Sequence, residues 1–219
     1  MINIKKFTFN PVGVNAYLLW DETKEAVVID PACSNRSEEA ALSRFVEEQG
    51  LQVVQLLNTH GHFDHLMGNS FAETKWGLKC RIHPDDLPMV SQAKQHAMFF
   101  GISMANHAEA VALVPGEEIA FGHSKLKVIH VPGHSPGSVA YHSEADQLLV
   151  VGDILFEGSV GRTDLPGGNH AQLISGIKEK LLTLADDTRV FPGHGNDTMI
   201  GWERISNPFF KIIFCPSGH

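Results

Sequence analysis

Residues 59–65 read Thr-His-Gly-His-Phe-Asp-His, directly after the run Leu51 to Asn58, which is apolar at Val53, Val54, Leu56 and Leu57. A near-continuous apolar run of that length reads as a strand buried on both faces. Three imidazoles and a carboxylate therefore stand on a polar loop at the end of a rigid strand, where the scaffold fixes side-chain directions as a metal site requires. A catalytic zinc takes three protein ligands and a water. His60, His62, Asp64 and His65 are more than one such ion draws from so short a segment, so the surplus predicts two ions, with His60 and His62 pointing one way and Asp64 and His65 toward a neighbouring position. The plain alternative is a polar loop with surface histidines. Three further segments weigh against it: Pro132-Gly133-His134-Ser135-Pro136-Gly137 after a strand at 125–131, Gly152-Asp153 after one at 147–151, and Pro192-Gly193-His194-Gly195 after one at 189–191. Singly, His134 and Asp153 read as ordinary turn residues. Together the four loops point to one shared ion site.

Composition agrees. The chain has 13 His against 17 Lys plus Arg, and imidazole is the commonest metal ligand. A net charge of −8 excludes nucleic acid and anionic membranes as partners, since both need a basic face. No apolar run nears the roughly 20 residues of a membrane span. Cys33, Cys80 and Cys215 are too few and scattered for a disulfide framework or a Cys-rich zinc site. The N-terminus reads as a first strand and not as a signal peptide, so the cytoplasm is the expected location. The 219 residues read as one domain, 1–219, with a loose tail at about 211–219.

Strands are expected at 2–9, 14–20, 26–30, 51–58 and 80–83, then at 111–114, 118–121, 125–131, 138–142, 147–151 and 189–191. Helices are expected at 37–49, 66–76, 87–100 and 171–182, with a Gly-rich loop at 152–169. Helices spread along two β-rich halves suggest two sheets packed face to face with helices outside.

The order H-x-H-x-D-H, then His, Asp and His over residues 60–194, resembles the metallo-β-lactamase-fold hydrolase superfamily. That resemblance implies an α+β fold, a four-layer αββα sandwich of two mixed sheets with the site at one edge. It implies one metal on His60, His62 and His134, a second on Asp64, His65 and His194, and Asp153 bridging them. Zinc is the expected ion, with iron and manganese as alternatives. Within the superfamily the chain is most similar to single-domain glyoxalase II-like proteins. The stretches that carry this are Gly158 to Gly168, Pro192 to Gly195, Ile200 to Arg204 and Asn207-Pro208-Phe209. Larger glyoxalase II enzymes bind glutathione carboxylates through a C-terminal helical domain, whereas 25 residues follow His194 here.

Two divalent ions lower the pKa of water toward neutrality and polarise a carbonyl, and Asp64 or Asp153 can shuttle a proton after attack. A thiolate leaves without a dedicated general acid, because its conjugate acid has a pKa near 8–9. The expected activity is thus hydrolysis of a small-molecule thioester of the hydroxyacylglutathione type. The rivals are a lactonase and a persulfide dioxygenase using one iron at His60, His134 and Asp153; the latter group shares the stretch Gly161 to Asp164. Thr59 and Asp30 are expected to orient ligand imidazoles, the plainer reading of Asp30 being a strand-end turn. Arg162 and Asp164 are expected to form a buried pair bracing the loop after Asp153, with contact of Arg162 to a substrate carboxylate as the alternative. Met98, Phe99, Phe100 and Met104 are expected in the core, or else as an apolar lid beside the site. His83, His96, His107, His123, His130, His142 and His170 read as surface, turn or packing residues.

Overall fold

The computed structural model describes residues 1–104, 110–114 and 116–211; His107 and the expected tail from 212 onward, with Cys215, lie outside them. Two six-stranded mixed sheets form the centre. The first runs β1 (Asn3–Phe9), β2 (Val14–Trp20), β3 (Glu25–Ile29), β4 (Gln52–Leu57), β5 (Cys80–Ile82) and β6 (Val111–Ala112) in spatial order. Its first three strands are an antiparallel meander, and β3 to β6 are parallel. The second sheet holds β7 (Glu118–Phe121), β8 (Ser124–His130), β9 (Val139–Ser143), β10 (Leu148–Gly152), β13 (Arg189–Pro192) and β14 (Thr198–Met199). There only β10 and β13 pair parallel. A small hairpin, β11 (Leu155–Phe156) and β12 (Ser159–Val160), follows β10.

The inner faces of the two sheets meet in one apolar cluster that includes Tyr17, Leu19, Ile29 and Leu57 from the first and Val139, Tyr141, Val150 and Phe191 from the second. The alternation along β2 sends Ala16 and Leu18 to the opposite face, where they pack against helix α1 (Arg36–Glu48) through Leu42 and Val46. Asn35 caps that helix, accepting from the Ser37 and Glu38 backbone N–H groups at 3.0 and 3.1 Å, as a short polar side chain does best at that position. The outer face of the second sheet is covered by α5 (His170–Gly176), which continues into a widened turn at Ile177–Leu181, and by α6 (Ile200–Ser206). This is the four-layer αββα sandwich the sequence implies. Among the described residues, no helix is long and apolar enough to cross a membrane.

Three local features differ from expectation. Phe63–Leu66 is not loop but one helical turn, α2, preceding α3 (Asn69–Trp76). Phe63 and Leu66, three apart, both pack toward helix α4 (Leu87–Phe99), and that shared face winds the chain. The Gly-rich stretch after Asp153 contains the β11–β12 hairpin, whose two-residue strands are too short for any periodicity to reveal. In α4 the buried face is Val90, Ala93 and Ala97. Met104 is buried, but Met98, Phe99 and Phe100 are exposed, so the expectation that they belong to the core is corrected. A single tight turn, Pro84–Asp86, leads into α4.

Candidate metal centre

The four loops converge at the edge of the sandwich. His60 lies on a bend just past the end of β4, His62 follows on extended backbone, and Asp64 and His65 lie on α2. His134 follows β8, Asp153 follows β10 and His194 follows β13. One potential ligand atom from each of His60, His62 and His134 lies within 4.8 Å of the others, and the same holds for Asp64, His65 and His194 and for His60, His65 and Asp153. Asp153 reaches both trios: Oδ1 is 3.4 Å from His65 Nε2, and Oδ2 is 3.7 Å from His134 Nε2 and 3.6 Å from His194 Nε2. Asp64 Oδ2 is 3.4 Å from His194 Nε2. All seven candidate ligands are brought together.

Hydrogen-bond partners assign the imidazole tautomers. His134 Nδ1 lies 2.8 Å from the Arg162 carbonyl, which can only accept, so Nδ1 carries the proton. His65 Nδ1 faces Asp30 Oδ2 at 2.9 Å and donates likewise. The Thr59 hydroxyl donates to Asp30 Oδ2 at 2.7 Å and so accepts from His60 Nδ1 at 3.0 Å. The Nε2 atoms of His60 and His134 therefore present lone pairs inward, and Nε2 of His65 faces Asp153 Oδ1. Those of His60 and His134 are 3.3 Å apart, a contact that only a shared proton or cation makes favourable. Buried His65 Nε2 and Asp153 Oδ1 have no hydrogen-bond partner, and such orphaned atoms are rare unless an ion or water serves them. The residues fit a pair of divalent cations.

Electrostatics point the same way. Burial, with the imidazoles of His65 and His134 beside it, pushes His60 well below its usual pKa. Burial and His134 push His62 down to about 3. Burial opposes the charge of Asp153, but the imidazole of His65, then His134 and His194, hold its carboxyl well below the ordinary range. His65 moves the other way: burial disfavours its charge, yet Asp153, Asp30 and Asp64 raise it well above normal. Neutral His60 and His62 and the ionised Asp153 suit a cation site, and the three carboxylates that draw a proton to His65 mark a place where a cation would substitute for it.

The support around the ligands comes from several elements. Asp30 sits at φ +50, in the left-handed region that Asp tolerates better than most residues. From there its Oδ1 also accepts from the Thr59 backbone N–H at 2.8 Å. The orienting reading of Thr59 and Asp30 thus has its contacts. Sequence reasoning did not single out Asp86. Its fully buried carboxylate accepts from Gly61 N at 2.8 Å, Ser135 Oγ at 2.6 Å and Gly137 N at 2.6 Å, tying the His60–His62 loop to the His134 loop. Nor were the β1–β2 contacts foreseen. Asn10 Nδ2 donates to the Asp64 carbonyl at 2.9 Å, and the Tyr17 hydroxyl donates to the Pro192 carbonyl at 2.6 Å. Asn15 Nδ2 donates to the Pro192 and Gly195 carbonyls, each at 3.0 Å. A polar residue on a strand next to a ligand loop was the available signal.

Arg162 and Asp164 do pair, with both bonds at 2.8 Å, but the expectation of burial is corrected: their side chains are 57% and 69% exposed. The loop is held instead through the Arg162 carbonyl. His83 and His130 stack at 4.0 Å with rings 15° apart, a packing arrangement in which parallel rings do not aim lone pairs at one point. His130 Nε2 also braces the His134 loop by donating to the Pro136 carbonyl at 2.8 Å.

Gly193 has no room for a side chain: a Cβ would overlap Asp153 Oδ1 and come within 2.7 Å of His65 Cε1. Gly193→Ala is expected to lower metal affinity by about 10–100-fold, the range seen when the support of a ligand is disturbed, as read by competition with a chromophoric chelator.

Comparisons with known proteins agree with this geometry. The sequence profile describing the Metallo-beta-lactamase superfamily matches residues 9–194. The chain is 34% identical over 213 residues to the Probable metallo-hydrolase YqgX of Bacillus subtilis, covering 94% of this chain and 97% of the relative. It is 33% identical over 222 residues to the Hydroxyacylglutathione hydrolase GloC of Haemophilus influenzae, covering 96% and 99%. Among solved structures, the BLEG-1 B3 metallo-beta-lactamase superposes with a TM-score of 0.85 at 33% identity, over 95% of this chain and 100% of that one. TTHA1623 in a di-iron-bound form gives 0.83 at 36% identity, over 94% and 99%. ETHE1 from Myxococcus xanthus gives 0.76 at 26% identity, over 94% and 83%.

Proposed function

Since the chain belongs to the metallo-beta-lactamase superfamily, we propose that it is a binuclear metal-dependent hydrolase that cleaves a thioester of the hydroxyacylglutathione type. The observation that carries this reading is the presence of two complete three-ligand clusters with Asp153 against both. The likeness to GloC over nearly the full length of both chains supports the substrate class.

His60, His62 and His134 would hold one cation and Asp64, His65 and His194 the other, with Asp153 within reach of both sets. Zinc suits this set of imidazoles and carboxylates, and so does the iron named for TTHA1623. Bound divalent ions supply Lewis acidity, activating water near neutral pH and polarising a carbonyl. The protein's part is to fix the donors. Asp30 holds His65 directly and His60 through Thr59, and the Arg162 carbonyl holds His134. Asp64 and Asp153 are the carboxylates at the reacting position, so a proton released on attack has them as acceptors. Among the described residues, the recorded polar side-chain contacts of the seven ligands run to carboxylates, imidazoles, Thr59 and one carbonyl, none to a lysine or arginine side chain. Ligands that touch no lysine or arginine side chain suit a leaving group that departs as an anion, and a thiolate does so far more readily than an amine.

The test is anaerobic thiol release from S-D-lactoylglutathione by metal-loaded protein, with and without chelator. Chelator-sensitive release supports the reading. The competing reading, oxidation of a persulfide with a single iron at His60, His134 and Asp153, gains support from oxygen uptake on glutathione persulfide with no thioester cleavage. Chelation also has a stability readout. An ion present at a thousand times its dissociation constant stabilises by about 4 kcal/mol, and a chain of this size shifts by about 2–4 °C per kcal/mol. Removal is expected to lower Tm by roughly 10 °C per ion in a calorimetric scan.

A further inference from the structure

Resting on the thioesterase reading, we propose that the C-terminal end of α4 and the ring of Phe63 form an acyl-binding shelf, which selects thioesters whose acyl group carries an apolar chain. Phe63 lies between two of the candidate ligands, His62 and Asp64, and its ring is only half-buried. It stacks on Phe100 with centroids 5.5 Å apart and planes 24° apart, and Phe100 meets Phe99 edge-on at 5.5 Å. The aromatic row therefore starts inside the ligand loop and runs outward. Beyond Phe63 it is open: Phe100 is 56% exposed, Phe99 86% and Met98 68%. Single exposed apolar residues are ordinary, whereas three large ones in succession, joined through Phe63 to the loop that carries His62 and Asp64, offer a binding surface.

The fold does not need them there. The helix makes its core contacts with Val90, Ala93 and Ala97, and Met98 and Phe99 point away from that face. The occupant follows from what the centre holds. With a thioester carbonyl at the cations, one substituent is the thiol carrier and the other the acyl chain. Carriers such as glutathione are polar and anionic, while the protein carries a net charge of −8. Two cations near the ligand loops are already paired: Arg162 with Asp164, and Lys6 with Asp197, three residues past His194. An apolar row suits the acyl side. A fully buried methylene is worth about a fourfold change in an equilibrium constant, and contact on one face of an open shelf about half that free energy, or about twofold.

The experiment uses the zinc-loaded protein and S-acyl thioesters of N-acetylcysteamine from acetyl to hexanoyl. In the wild type kcat/KM is expected to rise about twofold per methylene, roughly tenfold or more across the series. Phe99→Ser and Phe100→Ser, both at exposed positions, should flatten that slope while leaving the acetyl thioester within about twofold. A flat wild-type series, or a slope unchanged in both variants, overturns the shelf. If no thioester is cleaved, the hydrolase reading fails on its own, and the shelf is read instead by calorimetric binding of hexanoate against acetate. Preference for hexanoate that the variants lose sustains it, and equal affinity ends it. If the wild type sediments as a dimer and the variants as monomers with no change of acyl preference, the row is a self-association surface and the proposal is wrong.

Discussion

Asp153→Asn is expected to lower the metal content of the purified protein by one ion per chain and to reduce thioester hydrolysis by about a hundred- to a thousandfold, the loss typical when a preorganised charge is removed at a reacting centre. The substitution keeps the shape of the side chain and removes its charge. Burial already opposes that charge, and the imidazoles of His65, His134 and His194 sustain it. The asparagine amide also puts an NH2 group at one of the two positions where Oδ1 and Oδ2 now face imidazole nitrogens at 3.4–3.7 Å. An oxygen that can bind a cation is thus replaced by N–H groups that repel one. Elemental analysis and thiol release on the same preparation check both parts. Full activity with two ions bound would remove Asp153 from the bridging position.

The second large effect is expected far from any ligand in the sequence. Asp86→Ala strips the acceptor from three donors. Ser135 Oγ can turn to Ser138 Oγ, 2.7 Å away, but Gly61 N and Gly137 N are left facing a void. An unsatisfied buried donor costs about 1–3 kcal/mol, so the loss is about 2–6 kcal/mol, or a fall in Tm of roughly 5–20 °C. The damage should not be confined to stability. Each released amide belongs to a ligand loop, so cation affinity is expected to fall in the variant at temperatures where it is still folded. Ser135→Ala, which removes only one of the three bonds, should lose much less. A melting curve for Asp86→Ala within a degree or two of wild type would show that the clamp carries no load.

These residues also show what a sequence discloses. The candidate ligands were legible because the four segments that carry them follow strands and hold glycines or prolines, so strand ends and donors could be read together. His60 to His65 needed only local spacing, and Asp30 was visible in Val28-Ile29-Asp30-Pro31 as an acid closing an apolar strand. Asp86 was not, because Pro84-Asp85-Asp86 before a helix reads as a helix start, and nothing local says that one carboxylate turns inward to two loops about 25 and 50 residues away. Arg162 and Asp164 were rightly paired but wrongly buried, since spacing shows that two charges can meet and not whether water reaches them. The apolar end of α4 misled for a related reason. Leu87, Met89, Val90, Ala93, Ala97, Met98, Phe99 and Phe100 cover more than one helical face. Size suggests that the phenylalanines go inward, yet the close approach of α4 to α2 takes the alanines.

The origin of the ligands has a mechanical consequence. His60, His62, Asp64 and His65 extend from the first sheet, and His134, Asp153 and His194 from the second. Backbone hydrogen bonds already join the two slabs at this rim, from Asn15 N–H to the Gly193 carbonyl at 2.7 Å and from Val139 N–H to the Thr59 carbonyl at 2.9 Å, and cations shared by these donors would rivet it further. A slip of one slab over the other by a single residue is about 3.3 Å, while coordination distances tolerate only about 0.2 Å. With both cations in place, sliding would be forbidden and the rim stiffened, so any breathing of the two slabs would hinge there and open at the opposite rim.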